Sequence, residues 1–116
     1  MSEEFVPTAA EDYPQAVEKE MELPSGARAI VRPVNRYVLL KSGRFPKEVE
    51  DALLGAANGG GQPDLKVYLR AMDVLLCEAF VAPKVHQTPK KGYLCVDDLT
   101  DADREAVITE LGLSAL

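Results

Sequence analysis

A short β-hairpin close to the start of the chain restricts its fold more than any other feature of the sequence. From residue 20 to residue 32, apolar and charged residues alternate on both sides of a Pro-Ser-Gly turn at 24–26. Alternation with a period of two places the apolar side chains on one face, and the turn lets the two strands pair. Pro33 lacks the amide hydrogen that a further ladder bond needs, so we expect the chain to leave the sheet there. The pattern predicts a small sheet that leads into helices.

Two short helices are predicted after the hairpin. Asn35 is a suitable N-cap for the first helix, which we expect to end at Gly43. Pro46 suits the first turn of the second helix, because its missing amide hydrogen is not needed there. We expect Gly55 to end this second helix and residues 56–63, which include three consecutive glycines, to form a flexible loop.

The longest predicted helix runs from Leu65 to about Ala82, where Pro83 ends it. Its apolar residues recur at helical spacing and valines widen the apolar face, so we expect it to pack against more than one neighbour. A last helix begins at Thr100, with Asp103 three residues later as in a capping box, and ends at Gly112.

Together these elements predict a small α+β domain, mainly helical, with the β-hairpin at its N-terminal end. We assign residues 19–116 to this single domain. Residues 84–92 are typical of a polar connection, and residues 93–96 fit either an edge strand or a loop that packs inward. Residues 1–18 hold five acidic residues, two prolines and no basic residue. We therefore expect a flexible acidic arm that is disordered or becomes ordered by contact.

The sequence lacks the marks of a membrane or secreted protein. No apolar run approaches the ~20 residues of a membrane span, and the first residues lack the basic and apolar regions of a secretion signal. We therefore expect a soluble protein of the cytoplasm without membrane contact. Cys77 and Cys95 have neither a secretory context nor metal-site spacing, so we expect reduced thiols.

Charge is distributed unevenly along the domain. Six basic residues and no acidic residue lie between residues 24 and 47, whereas six acidic residues face one arginine between 97 and 110. This polarity could mediate self-association or bind another protein; alternatively, the two segments neutralise each other within one molecule or are separately solvated. Nucleic acid is not an expected partner, because the basic segment has few aromatic residues and the net charge is −6.

No arrangement of residues predicts catalysis. His86 has no partner at metal-site spacing and is interpreted as a solvated loop residue. Cys77 is placed on the polar side of the long helix, without a second histidine to activate it. The acidic run from Asp97 lacks the glycine and glutamate that a calcium loop needs at its sixth and twelfth positions. The glycines at 59–61 lack the lysine of a phosphate loop. We predict a protein that is not an enzyme and holds no metal and no cofactor.

Several segments follow one another in an order and spacing that match a known family. They are ELPSG at 22–26 followed by Arg32 and Pro33, GRFP at 43–46, AFVAPKV at 79–85, VDDL at 96–99 and TDADR at 100–104. The chain thereby resembles, over residues 20 to 112, the small tail assembly chaperones of long-tailed bacteriophages, particularly those of Gram-positive and actinobacterial hosts. The long acidic arm departs from that pattern.

In that family, a short protein and a longer frameshifted version coat the tape measure protein and help to assemble the tail tube around it. The resemblance implies a non-enzymatic chaperone in the cytoplasm of the infected host cell, with a tape measure or tail protein as its long helical client. Apolar stripes of the second and third helices supply the candidate client-binding residues: Val49, Leu53, Leu65, Leu69, Met72, Val74, Leu76 and Phe80. Most of them also belong to the expected core.

Two other interpretations remain open at this point. The chain could be a structural component of the phage particle, such as a head–tail connector or tail protein, whose arm reaches onto a neighbouring copy in the virion. It could also be a bacterial protein-interaction adaptor. A slippery heptamer near the codons of the C-terminus, with an overlapping reading frame, would favour the chaperone.

Overall fold

The computed structural model describes residues 4–14, 17–59 and 64–114. Within these ranges it confirms the predicted α+β class, with a mainly helical domain and an N-terminal hairpin. The strands are β1 (Lys19–Glu22), β2 (Arg28–Val31), β3 (Phe80–Ala82), β4 (Val85–His86) and β5 (Leu94–Cys95). The helices are α1 (Arg36–Lys41), α2 (Lys47–Ala57), α3 (Leu65–Ala79) and α4 (Asp101–Leu111), with short 3-10 turns at Ala10–Asp12 and Val96–Asp98.

The hairpin forms as the alternation predicts. β1 and β2 are antiparallel, with Met21 opposite Ala29. Two hydrogen bonds close the turn, from the Leu23 amide to the Ala27 carbonyl at 2.7 Å and from the Gly26 amide to the Leu23 carbonyl at 2.8 Å. Gly26 has a φ of 90°, a left-handed conformation that glycine adopts at little cost. The turn residues therefore fix the register of the two strands.

The sheet contains a third strand that the sequence analysis assigned to the long helix. α3 ends at Ala79, and the next three residues form β3 on the far side of β2, so the predicted helix end at Ala82 is wrong. The Arg32 amide donates to the Ala79 carbonyl at 2.9 Å, and Ile30 pairs with Ala82. The amide and carbonyl groups of these residues form hydrogen bonds with β2 in place of hydrogen bonds within the helix.

Side-chain caps and glycines set most of the helix ends. The Asn35 side-chain oxygen accepts from the Tyr37 and Val38 amides at 3.0 and 3.3 Å, as predicted for the N-cap of α1. Gly43, with a φ of 71°, lets the chain turn after this helix. Gly112 does the same after α4, where its φ is 61°.

α2 extends past its predicted end. It runs through Gly55 to Ala57, because a glycine inside a helix costs only about 1 kcal/mol relative to alanine and does not by itself stop the helix. The Pro46 carbonyl accepts hydrogen bonds from the Val49 and Glu50 amides, and the helix begins at Lys47, one residue after the predicted first helical position. Residues 60–63 of the predicted glycine-rich loop lie outside the described residues. So do residues 1–3, 15 and 16 of the predicted arm.

β4 and β5 form a separate, parallel pair. Residues 93–96 thus contribute a strand, and the connection at 84–92 contains the other. His86 is half-buried in β4, with its ring edge-to-face at 5.8 Å from the ring of Tyr93. Its Nδ1 accepts from the Thr88 amide at 3.2 Å. The interpretation of His86 as a solvated loop residue is wrong, because strand pairing and the tyrosine ring cover part of the imidazole.

The core is organised around α3. This helix contacts α2, α4, β3, β4 and the 3-10 turn at Val96–Asp98, which confirms that it packs against more than one neighbour. The largest fully buried side chains come from several of these elements: Val31, Val49, Leu75, Leu76, Val96 and Val107. A single core therefore joins the sheet to the helices.

Polar contacts attach the first turn of α4 to the rest of the domain. The Thr100 hydroxyl oxygen accepts from the Asp103 amide at 3.1 Å, which is half of the predicted capping box. The Asp103 carboxylate instead accepts hydrogen bonds from the hairpin turn. Arg104 donates to the Asp73 carboxylate at 2.7 Å and to the Val96 carbonyl at 2.8 Å. α4 is thereby held to the hairpin and to α3 by side chains on one turn.

Candidate partner-binding surface

One face of α3 passes from solvent into the core along the length of the helix. Leu65, Leu69, Met72 and Leu76 follow one another at spacings of four, three and four residues, which places them in one stripe. Leu65 is 68% exposed and Leu69 52%, whereas Met72 is 6% exposed and Leu76 0%. The first half of the stripe is therefore left largely uncovered by the described part of the chain.

The eight residues predicted to bind a client differ in their exposure to solvent. Six of them are buried in the core and are not accessible to a partner of the folded domain: Val49, Leu53, Met72, Val74, Leu76 and Phe80. Leu65 and Leu69 are exposed and lie one helical turn apart. Of the predicted set, these two leucines are available on the surface.

Leu54 of α2 is a further exposed leucine, on a helix that packs against α3. Glu48, near the start of α2, forms an ion pair with Arg70 in α3. Leu54 is 49% exposed. Because Leu65 and Leu69 share one stripe of one helix, these two residues are termed the leucine surface below.

Leu54 is not among the eight residues predicted to bind a client. Its neighbour Leu53 belongs to the buried stripe of α2, and successive residues lie about 100° apart around a helix. Leu54 therefore lies beside the apolar stripe of α2 and is not part of it. A leucine in that place is the sequence signal for an exposed apolar residue. The signal is weak, because single exposed leucines are common on protein surfaces.

The basic segment is partly neutralised by α3 and not by the acidic segment. Arg44 Nη1 donates to the Glu78 carboxylate at 2.6 Å, and Arg32 Nη2 lies 3.6 Å from the same oxygen. The acidic segment pairs instead with Lys19 and Arg104. Among the described residues the two segments form no ion pair with each other, so they do not neutralise each other through direct contacts. The basic segment keeps a net positive charge.

The environment of Cys77 does not suit thiol chemistry. The side chain is half-buried and packs against the core, which corrects its predicted place on the polar side of α3. Burial, together with the negative charges of Asp73 and Glu78, raises the pKa of the Cys77 thiol to about 11. A thiol that is protonated at neutral pH is a poor nucleophile.

The described ranges contain neither a cluster of metal ligands nor a membrane-spanning helix. In residues 4–14, 17–59 and 64–114, no three His, Cys, Asp or Glu side chains have the arrangement of a metal site. No helix of these ranges combines the length and the apolar character that crossing a bilayer requires.

Comparisons with known proteins found no match. No family model matches the chain, and neither curated proteins nor solved structures show a significant similarity to it. The resemblance to phage tail assembly chaperones therefore rests on the five sequence segments alone.

Proposed function

We propose that this chain is a non-enzymatic tail assembly chaperone of a long-tailed phage, which binds the tape measure protein while the tail is assembled. The observation that carries the proposal is the exposed half of the α3 stripe, because Leu65 and Leu69 present the kind of surface on which an amphipathic helix packs. The order of the sequence segments supports the same function. The net charge of −6 helps to keep a complex with an apolar client in solution.

An ion pair lies next to the leucine surface, because Arg70 directly follows Leu69 in α3. Glu48 and Arg70 pair with each other beside it, with both side chains more than half exposed. A client helix with apolar residues at every third and fourth position can cover Leu65 and Leu69 without breaking this pair. Such binding depends on apolar area, so we expect it to be only weakly sensitive to salt.

Co-expression with the tape measure gene tests the proposal. We expect the client to be soluble when this chain is present and insoluble when it is absent, and the two proteins to co-purify at low and at high salt. The variant Leu65→Gln with Leu69→Gln should abolish both effects. Val17→Gln, at another exposed apolar residue, is the matched control and should abolish neither.

A component of the phage particle is the second candidate function. The observation that favours it is the arm, whose described residues 4–14 are exposed throughout. A projecting arm with large apolar side chains is a common way to join neighbouring subunits. If the tape measure protein stays insoluble and this chain instead co-purifies with assembled tails or capsids, the particle component replaces the chaperone.

A further inference from the structure

The N-terminal arm carries large apolar side chains that its own domain does not cover. Phe5 is 89% exposed, Val6 78% and Tyr13 68%. The described part of the arm therefore keeps its large apolar side chains in solvent.

A groove lies beside α1, on the side that faces the end of α4. Residues 33–37 line it together with residues 112–114 and Leu75, and its volume is about 490 Å³. A second hollow of about 300 Å³ shares residues 33–35 and continues past Val38. The two hollows together are termed the α1 groove. They provide room for an aromatic side chain and a short extended segment.

The α1 groove and the arm are complementary in charge and in apolar character. At the groove, Tyr37 and Val38 are 63% and 57% exposed, and the Arg36 guanidinium lies 5.3 Å from the centre of the Tyr37 ring. Arg32 and Arg44 line the second hollow together with Glu78, which pairs with both, so three arginines and one carboxylate border the groove. Residues 4–14 of the arm include three acidic residues, two aromatic residues and no basic residue. Carboxylates of the arm can therefore pair with cations at the groove while an aromatic ring fills it.

The arm leaves the domain next to this groove. Lys19, the first residue of β1, lies opposite Val31, two residues before the groove begins at Pro33. The Lys19 ammonium also forms an ion pair with Glu110, two residues before the groove resumes at Gly112. The root of the arm and both walls of the groove thus share one edge of the domain.

We propose that two copies of this chain form a dimer by exchanging their N-terminal arms, each arm lying in the α1 groove of the other copy. Because the arm and the groove share one edge, a two-fold axis beside that edge brings each arm to the partner's groove. Such an arrangement is closed and self-complementary. In the structure the arm leaves its own groove free, since Phe5 and Tyr13 remain exposed. The dimer does not depend on the proposed chaperone function.

Sedimentation velocity across a range of protein concentrations tests the dimer. We expect a monomer–dimer equilibrium for the full chain, and a monomer at every concentration after deletion of residues 1–14. Phe5→Ala should weaken dimerisation by about tenfold or more, because it removes a large apolar side chain from the interface. Asp98→Ala, at an exposed residue outside the arm and the groove, should leave the equilibrium unchanged. Residues 4–14, Phe5 included, are exposed throughout, so both variants should keep the circular dichroism of the full chain.

Mixing two variants distinguishes arm exchange from any other dimer. The arm-deleted chain keeps its groove, and Arg36→Glu, which reverses a charge at the groove, keeps its arm. Neither variant should associate alone, whereas an equimolar mixture should form a heterodimer. A dimer that survives arm deletion overturns the proposal, and so does a mixture that stays monomeric.

A tryptophan probe tests whether the arm binds its own groove instead. The chain has no tryptophan, so the emission of Phe5→Trp reports the arm alone. Exchange between copies predicts an emission maximum that shifts to shorter wavelength as the protein concentration rises, in parallel with dimerisation. A shifted maximum already present in the dilute monomer would show that the arm occupies its own groove, and the second-copy proposal would be wrong.

Discussion

Ser25 and Asp103, which are 78 positions apart in the sequence, form two hydrogen bonds in the folded chain. The Ser25 amide donates to Asp103 Oδ1 at 2.9 Å, and its hydroxyl donates to Oδ2 at 2.6 Å. Asp103 is 5% exposed, so its carboxylate is taken out of water and bound by the hairpin turn. The turn between β1 and β2 and the first turn of α4 are thus held together by one side chain.

Asp103→Asn should lower the free energy of unfolding at neutral pH by about 1–3 kcal/mol, since it replaces the hydrogen bonds of a charged carboxylate by weaker neutral ones and the bond to the Ser25 hydroxyl must reverse its direction. Urea unfolding followed by circular dichroism measures the change. Asp98→Asn, at an exposed acidic residue, is the matched control and should stay within about 0.5 kcal/mol of the parent. Equal effects of the two substitutions would contradict a special role for the Ser25 contact.

The contribution of Asp103 should depend on pH in a defined direction. The Ser25 hydroxyl, with further help from the Ser25 amide and Thr100, holds the pKa of Asp103 below its ordinary value of 3.8, although burial acts in the opposite sense. Because the folded pKa is the lower one, the stabilisation is fully present above pH 3.8 and is lost as the pH falls through the folded pKa. The difference between the parent and Asp103→Asn should therefore shrink in acid. A difference that stays constant down to the acid transition would refute this linkage.

Arg104→Ala should destabilise the domain by about 1–3 kcal/mol, because it leaves the half-buried Asp73 carboxylate and the Val96 carbonyl without their donor. Arg70→Ala removes an arginine whose ion pair with Glu48 is exposed on both sides, and should cost no more than about 1 kcal/mol. Thermal and urea unfolding of both variants give the comparison. If Arg104→Ala costs no more than Arg70→Ala, the packing of α4 does not depend on Arg104.

Leu65→Gln and Leu69→Gln should each change the free energy of unfolding by no more than about 0.5 kcal/mol, because both side chains are already largely in solvent. Leu76→Ala, in the buried half of the same stripe, should cost about 2–5 kcal/mol. Urea unfolding in the absence of any partner measures the free energy of unfolding of each variant and so distinguishes the exposed half of the stripe from the buried half. A loss of more than about 2 kcal/mol at Leu65 would mean that the domain itself buries this residue.

Alkylation of Cys77 should be slow at pH 8. With a pKa of about 11 in place of the ordinary 9.0, the thiolate fraction falls about a hundredfold. We expect the rate, followed by peptide mass spectrometry, to rise in proportion to hydroxide concentration up to pH 10 and to reach its unfolded-state value in urea. A rate that reaches half of its plateau near pH 9 would show an ordinary thiol.

Local signals predicted the parts of the fold that depend on nearby residues. The caps at Asn35 and Thr100 and the glycines that end α1 and α4 act within a few residues of themselves, so the sequence shows them directly. The end of α3 depends on pairing between β3 and β2, about 50 positions away, and helical spacing continues through Phe80. The partner of Asp103 is 78 positions away. A capping box predicts a local contact for this carboxylate, whereas the fold provides Ser25.

The candidate surface was predicted only in part for a related reason. Periodicity shows which residues of α3 share a face, but it does not show how much of that face the other elements cover. Leu65 and Leu76 have the same position in the pattern and opposite environments, since the other elements cover the later turns of the helix and leave its first turns open. Exposure along a stripe is set by the lengths and positions of its neighbours, which are properties of the whole fold.

The exposed leucines of α3 belong to a helix whose later turns are already fixed in the core. A helix that packs onto Leu65 and Leu69 meets a rigid receptor, so nearly all the loss of conformational entropy on binding falls on the incoming chain. The affinity of a partner is then governed by its own tendency to be helical before it binds. Among partners with the same apolar contacts, those with stronger intrinsic helicity should bind more tightly.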